Sequence, residues 1–205
     1  YDRWLSQWSW EPSLGQMSEA QMLFHRVPIS CLIYAQSAQQ VRSVASTWSR
    51  HCNHVTYLGS IRDDYVPIHL VPGQWTCRSI QVIWNHFDHR RPQWVLLADD
   101  QTFAVVENLR RYLAPLNSSN VYYLGHAMHD SQGFYNILAA GIVLSQGALG
   151  LLRHAAAKTS CGSNTGALDK TLGRLLRGAQ PSLRPIDTRD SRSRARFIPF
   201  SAEKM

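Results

Sequence analysis

Short apolar runs alternate with amphipathic segments along most of the chain. Runs of about four to eight apolar and β-branched residues predict buried strands, whereas apolar residues spaced about three or four apart predict helices. The pattern predicts strands over 29–36, 55–60, 66–71, 94–98, 121–125 and 141–145, and helices over 38–50, 74–89, 102–113, 146–157 and 166–177. Such alternation predicts an α/β fold with a mostly parallel sheet and helices on both of its faces.

Two parts of the chain depart from this alternation. Residues 1–27 show no clear periodicity, and we predict an irregular lead-in that covers part of the core of a single domain over 28–205. Pro67 cannot donate a ladder hydrogen bond, so we expect the 66–71 strand to lie at an edge of the sheet.

The composition is that of a folded domain. The 205 residues are 44% hydrophobic and 17% charged, which excludes wholesale disorder. The longest apolar runs are only a few residues, so this stretch of sequence contains no membrane span.

The net charge of +7 lies entirely in residues 101–205, and five arginines cluster over 184–196. A nucleic-acid binder would interleave such residues with exposed aromatics or place them along one helix. Here they share a segment with proline, serine and aspartate, so we expect no nucleic-acid partner. The two interpretations of the cluster are a solvated basic edge and, the one we favour, a basic wall beside a site for a diphosphate or an acidic partner.

The cysteines and histidines show no metal-binding spacing. Cys31, Cys52, Cys77 and Cys161 form no CxxC motif, and the histidines form no HxH or HExxH motif, so we expect no zinc site. Four cysteines allow three pairings with two bridges, and their spacing does not choose among them. Asn117 begins an Asn-Ser-Ser sequon in a loop-like stretch and is a candidate N-glycan acceptor.

The 94–98 strand ends in two adjacent acids, Asp99 and Asp100. Ligands of open α/β sheets bind outside the carboxyl ends of the strands. Adjacent carboxylates repel each other unless a cation shares them, and Mg²⁺ or Mn²⁺ uses few protein carboxylates together with substrate phosphates. The pair therefore fits a metal and nucleotide-sugar site. The alternative is an aspartate that caps the helix predicted to start at Thr102, beside a solvated neighbour.

The sequence around this pair resembles a known family. Residues 98–103 and 106–109 resemble the acidic motif of inverting β-1,3-glycosyltransferases. Their branch of core 1 O-glycan β-1,3-galactosyltransferases is the most similar, and within it the chaperone paralogue Cosmc. Further segments match in the same order over about residues 28–200, namely 47–52, Trp75, Trp94, 123–126, 141–145, Asp169, 172–174, 187–190, Arg196, Phe197, Pro199 and Phe200.

The resemblance implies a GT-A-like, Rossmann-like fold in the lumen of the secretory pathway, in the endoplasmic reticulum or the Golgi. It also implies a type II membrane anchor upstream of Tyr1 and a domain that continues beyond Met205. The enzymes of the branch use UDP-galactose and Mn²⁺ to add galactose β1,3 to GalNAc on serine or threonine. The reaction is an inverting displacement in which a carboxylate removes the proton of the acceptor hydroxyl.

The resemblance also implies roles for individual residues. Asp169 matches the catalytic base, and Asp99, Asp100 and Trp75 match the nucleotide-sugar site. Asp100 and Gln101 match the metal site.

Cys31 and Cys52 match a cysteine pair of the branch, which implies a disulfide between them. For Cys77 and Cys161, a bridge and two free thiols both remain open. We expect His126 to be structural rather than a ligand, because a lone histidine after a strand is more often a satisfied structural residue.

Departures from the family pattern fall on one site. Gln101 replaces the third acid of the motif, Ile198 replaces a histidine expected at the metal, and Leu168 replaces a glutamate. Ala45 stands at a basic position, and 138–140 replaces a glycine-rich approach to the donor.

These departures predict a weakened metal site. We therefore expect a catalytically impaired paralogue that acts as a chaperone or partner of the core 1 synthase in mucin-type O-glycosylation, as a homo- or heterodimer. The alternative is an active UDP-galactose:GalNAc-Ser/Thr β-1,3-galactosyltransferase that uses Mn²⁺ and a GalNAc-glycoprotein acceptor.

Overall fold

The computed structural model describes residues 1–7, 17–71, 92–157 and 167–199. The strands are β1 (Ile29–Ala35), β2 (His54–Gly59), β3 (Ile68–Leu70), β4 (Trp94–Asp99), β5 (Tyr123–Leu124), β6 (Ala127–Asp130), β7 (Gly133–Asn136) and β8 (Ile142–Ser145). The helices are α1 (Asp2–Ser6), α2 (Glu19–Arg26), α3 (Ala38–Ser46), α4 (Val106–Leu113), α5 (Gln146–Ala157) and α6 (Leu168–Arg177). Short 3₁₀ turns cover Trp48–His51 and Leu138–Ala140.

The central sheet confirms the predicted α/β fold. Its six strands have the order β3-β2-β1-β4-β8-β5. The first four are parallel to one another, and β8 runs antiparallel to both of its neighbours. This mostly parallel sheet agrees with a GT-A-like, Rossmann-like fold. As Pro67 indicates, the short strand β3 lies at an edge.

Apolar clusters cover both faces of the sheet. Alternate residues of a strand point to opposite faces, so a strand buried on both sides appears as a continuous apolar run. In β1, Ile33 belongs to a cluster shared with residues of α2, α3 and α4, whereas Leu32 belongs to a cluster shared with residues of α5 and α6. Helices thus lie on both faces, as the alternating pattern predicts.

The N-terminal segment is more regular than predicted. Residues of α2 were expected to be irregular, but Ser18 begins this helix with a capping box. The Ser18 hydroxyl accepts from the Gln21 amide at 3.3 Å, and the Gln21 side chain accepts from the Ser18 amide at 2.8 Å. Met22 and Leu23 of this helix are buried in the core. The Ser-x-x-Gln spacing was the sequence signal for this helix.

Two further elements differ from the prediction. The helix expected from Thr102 begins at Val106, because the Thr102 hydroxyl bonds Asp99 and its carbonyl accepts from the Trp48 indole at 2.9 Å. The β6–β7 hairpin was not predicted. Its strands have four residues each, too short for a clear alternation, and the turn ends at Gly133 with a φ of 113°.

The predicted helix over 74–89 lies outside the described residues, as do Trp75, Cys77 and Cys161. Among the residues that the structure describes, no helix has the length and apolar character needed to cross a membrane.

A disulfide joins Cys31 to Cys52, with a Cα–Cα distance of 6.0 Å, in agreement with the pairing that the resemblance implies. Cys31 lies within β1, and Cys52 directly follows the Trp48–His51 turn. The bridge therefore ties the central strand to the segment that leads into β2.

Candidate functional site

One edge of the sheet, at the carboxyl ends of the parallel strands, carries the acidic pair Asp99 and Asp100. Tyr34, near the end of β1, pairs with Asp99 at the end of β4. Because β8 is antiparallel, its first residue, Ile142, pairs with Leu97 near the same end. The acidic pair, the start of α3 and the start of β8 therefore meet at this edge.

Asp100 holds two elements together. Its Oδ2 accepts hydrogen bonds from the backbone amides of Gln36 and Ser37, each at 2.7 Å. Its own amide donates to the Tyr34 carbonyl at 3.0 Å, and the residue is only 4% exposed. The carboxylate thus fixes the link between β1 and α3, a structural role that sequence reasoning missed because its partners are more than sixty residues away.

The other carboxylate oxygen of Asp100 has a different environment. Oδ1 is buried and has no hydrogen-bond partner among the described residues. A buried acceptor without a donor is unfavourable, and a bound cation or a ligand donor would satisfy it. The donor set at this strand end therefore partly fits a hard divalent cation.

Asp99 closes the turn that follows β4. Its Oδ1 accepts from the Gln101 amide at 3.1 Å and from the Thr102 hydroxyl at 2.8 Å. The capping alternative is therefore wrong, since Asp99 closes a turn and the helix begins only at Val106, while the neighbouring Asp100 is buried rather than solvated. Each acid of the pair accepts backbone amides, and this compensates part of their mutual repulsion without a metal.

Gln101 is exposed, and its side chain is a neutral amide. Within the described ranges, no three His, Cys, Asp or Glu side chains are grouped so that they could hold a metal ion. The oxygen ligands available from this turn are therefore two carboxylates, each with one oxygen that already accepts backbone amides, and one amide.

The 3₁₀ turn Leu138–Ala140 lies between Asp169 and the acidic turn and contacts both. Asp169 lies in the first turn of α6, half-buried, and its Oδ2 accepts from the Leu138 amide at 3.3 Å. The carbonyl of Ala139, in the same 3₁₀ turn, lies 3.5 Å from the Thr102 hydroxyl. Gly141, with a φ of 79°, leads from this turn into β8. The structure thus brings Asp169 near the edge that carries Asp99.

Tyr123 lies beside Asp169 and is fully buried. Burial raises the pKa of its hydroxyl, and the negative charge of Asp169 acts in the same direction. The hydroxyl oxygen accepts from the Asn136 amide at 2.8 Å. Tyr123 therefore stays neutral, and its hydroxyl holds the end of β7 at Asn136.

The positions that depart from the family pattern lie in different environments. Leu168 is 2% exposed and belongs to an apolar core cluster, and Ala45 packs against the other cluster. Ile198 is 44% exposed. It follows Phe197, whose carbonyl lies 3.0 Å from Nδ1 of His126. His126 therefore makes the structural contact that was expected.

Asn117 lies on the surface, away from this edge. It is exposed, and its side-chain oxygen accepts from the Ser119 amide at 3.0 Å in a tight turn. Glycosylation at Asn117 stays a prediction.

A cavity of about 460 Å³ lies beyond the end of β5 and was not expected from the sequence. We call it the tail cleft. It lies between the region after β5, the hairpin strand β7 and the C-terminal segment, and it is lined by Gly125, His126, Ala127, Phe134, Arg184, Pro185, Ile186, Asp187, Thr188, Arg189, Ala195 and Phe197. Its lining combines residues from sequence regions about fifty positions apart, so no local motif marks it.

Comparison with known proteins supports the family resemblance. No family model matches the chain. The chain is 28% identical over 172 residues to a Xenopus laevis protein named glycoprotein-N-acetylgalactosamine 3-beta-galactosyltransferase 1. This similarity covers 78% of the chain and 46% of that protein, so the chain spans about half the length of this relative.

Proposed function

We propose that the chain belongs to the core 1 β-1,3-galactosyltransferase branch, closest to Cosmc, and is a catalytically impaired paralogue. It would assist the synthase of mucin-type O-glycosylation as a chaperone or partner. The observation that carries this proposal is the acidic turn after β4, where the exposed amide of Gln101 stands in the third acidic position and Oδ2 of Asp100 is occupied by two backbone amides.

We favour loss of catalytic activity because this turn carries too little negative charge to hold a divalent cation well. A divalent cation is held mainly by its attraction to carboxylates, and each lost charge weakens that attraction. Gln101 contributes an oxygen dipole and no charge. Leu168 is buried among apolar side chains, and exposed Ile198 has no donor atom in its side chain. Three positions where the family carries polar or charged groups thus supply none of the charge that a metal and a diphosphate need.

An active transferase remains the second candidate, because two observations favour it. Oδ1 of Asp100 is a buried acceptor without a partner among the described groups, and Asp169 reaches the same edge through Leu138. In that case Asp169 would remove the proton of the acceptor hydroxyl, and Asp99 and Asp100 would bind the nucleotide sugar. Mn²⁺, held by Asp100 and Gln101, would supply positive charge to the departing diphosphate.

We propose a location in the lumen of the endoplasmic reticulum or the Golgi, with a type II anchor upstream. The Cys31–Cys52 disulfide supports an oxidising compartment. UDP-galactose is the donor only under the second candidate, whereas the synthase is the partner under the first. In either case we propose that the protein works as a homo- or heterodimer.

Co-expression with the core 1 synthase tests the proposal. We expect the chain to raise the yield of soluble, active synthase, while the purified chain alone shows no Mn²⁺-dependent transfer from UDP-galactose to a GalNAc-peptide. Turnover by the chain alone, abolished by Asp100→Asn, would contradict the chaperone proposal. Transfer would be measured by release of UDP and by the mass of the peptide product.

The substitution Gln101→Asp tests the argument from charge. We expect it to tighten Mn²⁺ binding by about tenfold or more, because it restores a charged oxygen ligand beside Asp100. Calorimetric titration with MnCl₂ measures the effect. The matched control is Gln93→Asp, which adds the same charge at an exposed position before the opposite end of β4. Equal tightening by both variants would show a general charge effect and would contradict a specific site.

A further inference from the structure

Specific hydrogen bonds hold the C-terminal segment that lines the tail cleft. The C-terminal segment is fixed to the end of β5 at three places. The Ile186 amide donates to the Tyr123 carbonyl at 3.1 Å, and the Thr188 hydroxyl donates to the Gly125 carbonyl at 2.9 Å. The Phe197 carbonyl contacts His126. These bonds fix the C-terminal segment of the tail cleft to the end of β5.

One wall of the tail cleft is apolar and carries an exposed aromatic ring. Phe134 is 47% exposed although it lies in a strand, and its ring centroid is 4.6 Å from that of His129 on β6. Ile186 and Phe197 add apolar surface from the tail. An exposed aromatic ring in a concave site is a common anchor for an apolar group of a ligand.

The lining also carries an arginine whose charge no carboxylate of the described residues compensates. Arg189 donates to both carboxylate oxygens of Asp187, and these hydrogen bonds lower the pKa of Asp187 to about 2, so the two charges compensate each other. Arg184 is exposed and forms no ion pair with a carboxylate among the described residues. Residues 184–197 contain five arginines and two aspartates, so the surroundings are positive as well.

The hairpin beside the tail cleft offers an open strand edge. Strand β6, which begins at the cleft residue Ala127, pairs with β7, and no described strand pairs with its other edge. Unpaired amides and carbonyls at such an edge can bond an extended peptide backbone. The cleft thus combines a cationic side chain, an apolar surface and unpaired backbone groups.

We propose that the tail cleft binds an extended peptide segment in which an acidic side chain adjoins an apolar one. The apolar side chain packs on Phe134, and the carboxylate pairs with Arg184. Under the proposed function, on which this assignment of a role rests, the peptide belongs to the polypeptide that the protein recognises. The binding itself requires neither a metal nor a nucleotide sugar.

Fluorescence anisotropy with two labelled peptides tests this proposal. The probes are Gly-Ser-Ala-Pro-Leu-Glu-Pro-Ala-Ser-Gly and the same peptide with Gln in place of Glu. We expect the Glu peptide to bind about threefold more tightly, since an ion pair with an exposed arginine contributes about 0.7 kcal/mol. Arg184→Gln should reduce its affinity to that of the Gln peptide.

The matched control is Arg50→Gln. Arg50 is an exposed arginine in the turn before β2, at the amino end of that strand, whereas the tail cleft lies beyond the carboxyl end of β5. The control variant should leave both affinities unchanged. Phe134→Ser should weaken both peptides by about fivefold, and circular dichroism would verify that each variant is folded. The proposal is overturned by the absence of wild-type binding, by equal affinity for the two peptides, or by equal effects of the two arginine variants. All peptide-binding assays omit metal and UDP-galactose. Peptide binding can therefore be absent while co-expression raises the yield of the synthase, and it can be present while co-expression has no effect.

Discussion

Replacing Asp100 with alanine is expected to lower the free energy of unfolding by about 3 kcal/mol. Its Oδ2 accepts two backbone amides at 2.7 Å in a site that is 4% exposed. A hydrogen bond to a charged group contributes about 1.5 to 3 kcal/mol, and its removal leaves the amides of Gln36 and Ser37 without an acceptor. Denaturant unfolding followed by circular dichroism measures the loss.

Two controls separate this structural role from ligand binding. Asp99→Ala removes bonds from one amide and one hydroxyl in a half-buried turn, so we expect a loss of only about 1 kcal/mol. Asp100→Asn keeps an oxygen acceptor and should lie between the two. If Asp100→Ala instead raises stability, repulsion between the adjacent acids outweighs the amide bonds, and the structural role assigned to Asp100 is wrong.

Loss of the Cys31–Cys52 disulfide is expected to lower the free energy of unfolding by a similar amount, about 3 kcal/mol. The bridge closes a loop with a sequence separation of 21, and a closed loop of this size restricts the unfolded chain. Both cysteines are buried in the core, so the double variant Cys31→Ala/Cys52→Ala also loses packing. Urea unfolding of this variant, compared with the parent chain, measures the loss.

The background for this comparison is a chain with Cys77→Ala and Cys161→Ala, because a reductant then acts on one bridge alone. In that background, dithiothreitol should destabilise the chain that keeps Cys31 and Cys52 by most of the expected loss of about 3 kcal/mol. It should not change the stability of the chain that also carries Cys31→Ala/Cys52→Ala. A loss below about 1 kcal/mol would show that the bridge contributes little to stability.

The strands were predictable because their environment leaves a local signal. Strands β1 and β4 are buried on both faces, so nearly every side chain is apolar and the run is visible without knowledge of the fold. The helix over 146–157 was predicted with the bounds that the structure gives, since its apolar side chains recur at helical spacing. Where the signal was short or polar, as in the β6–β7 hairpin, the prediction failed.

The candidate site was predictable in part. An apolar strand that ends in two acids locates the site at the carboxyl edge of a sheet, and the structure brings Asp169 to that edge. What Asp100 does there was not predictable. Its partners, Gln36 and Ser37, lie in a distant part of the sequence, and only the parallel pairing of β1 with β4 brings them together.

The sequence by itself determined which segments are buried and where the acids, cysteines and arginines stand along the chain, because these properties depend on local composition and period. The tertiary structure decided how they are used. It inserted the antiparallel β8 between β4 and β5, directed one carboxylate of the acidic pair to backbone amides, and assembled the tail cleft from Phe134 and Arg184. Contacts between distant residues depend on strand order and register, and no local pattern encodes either of them.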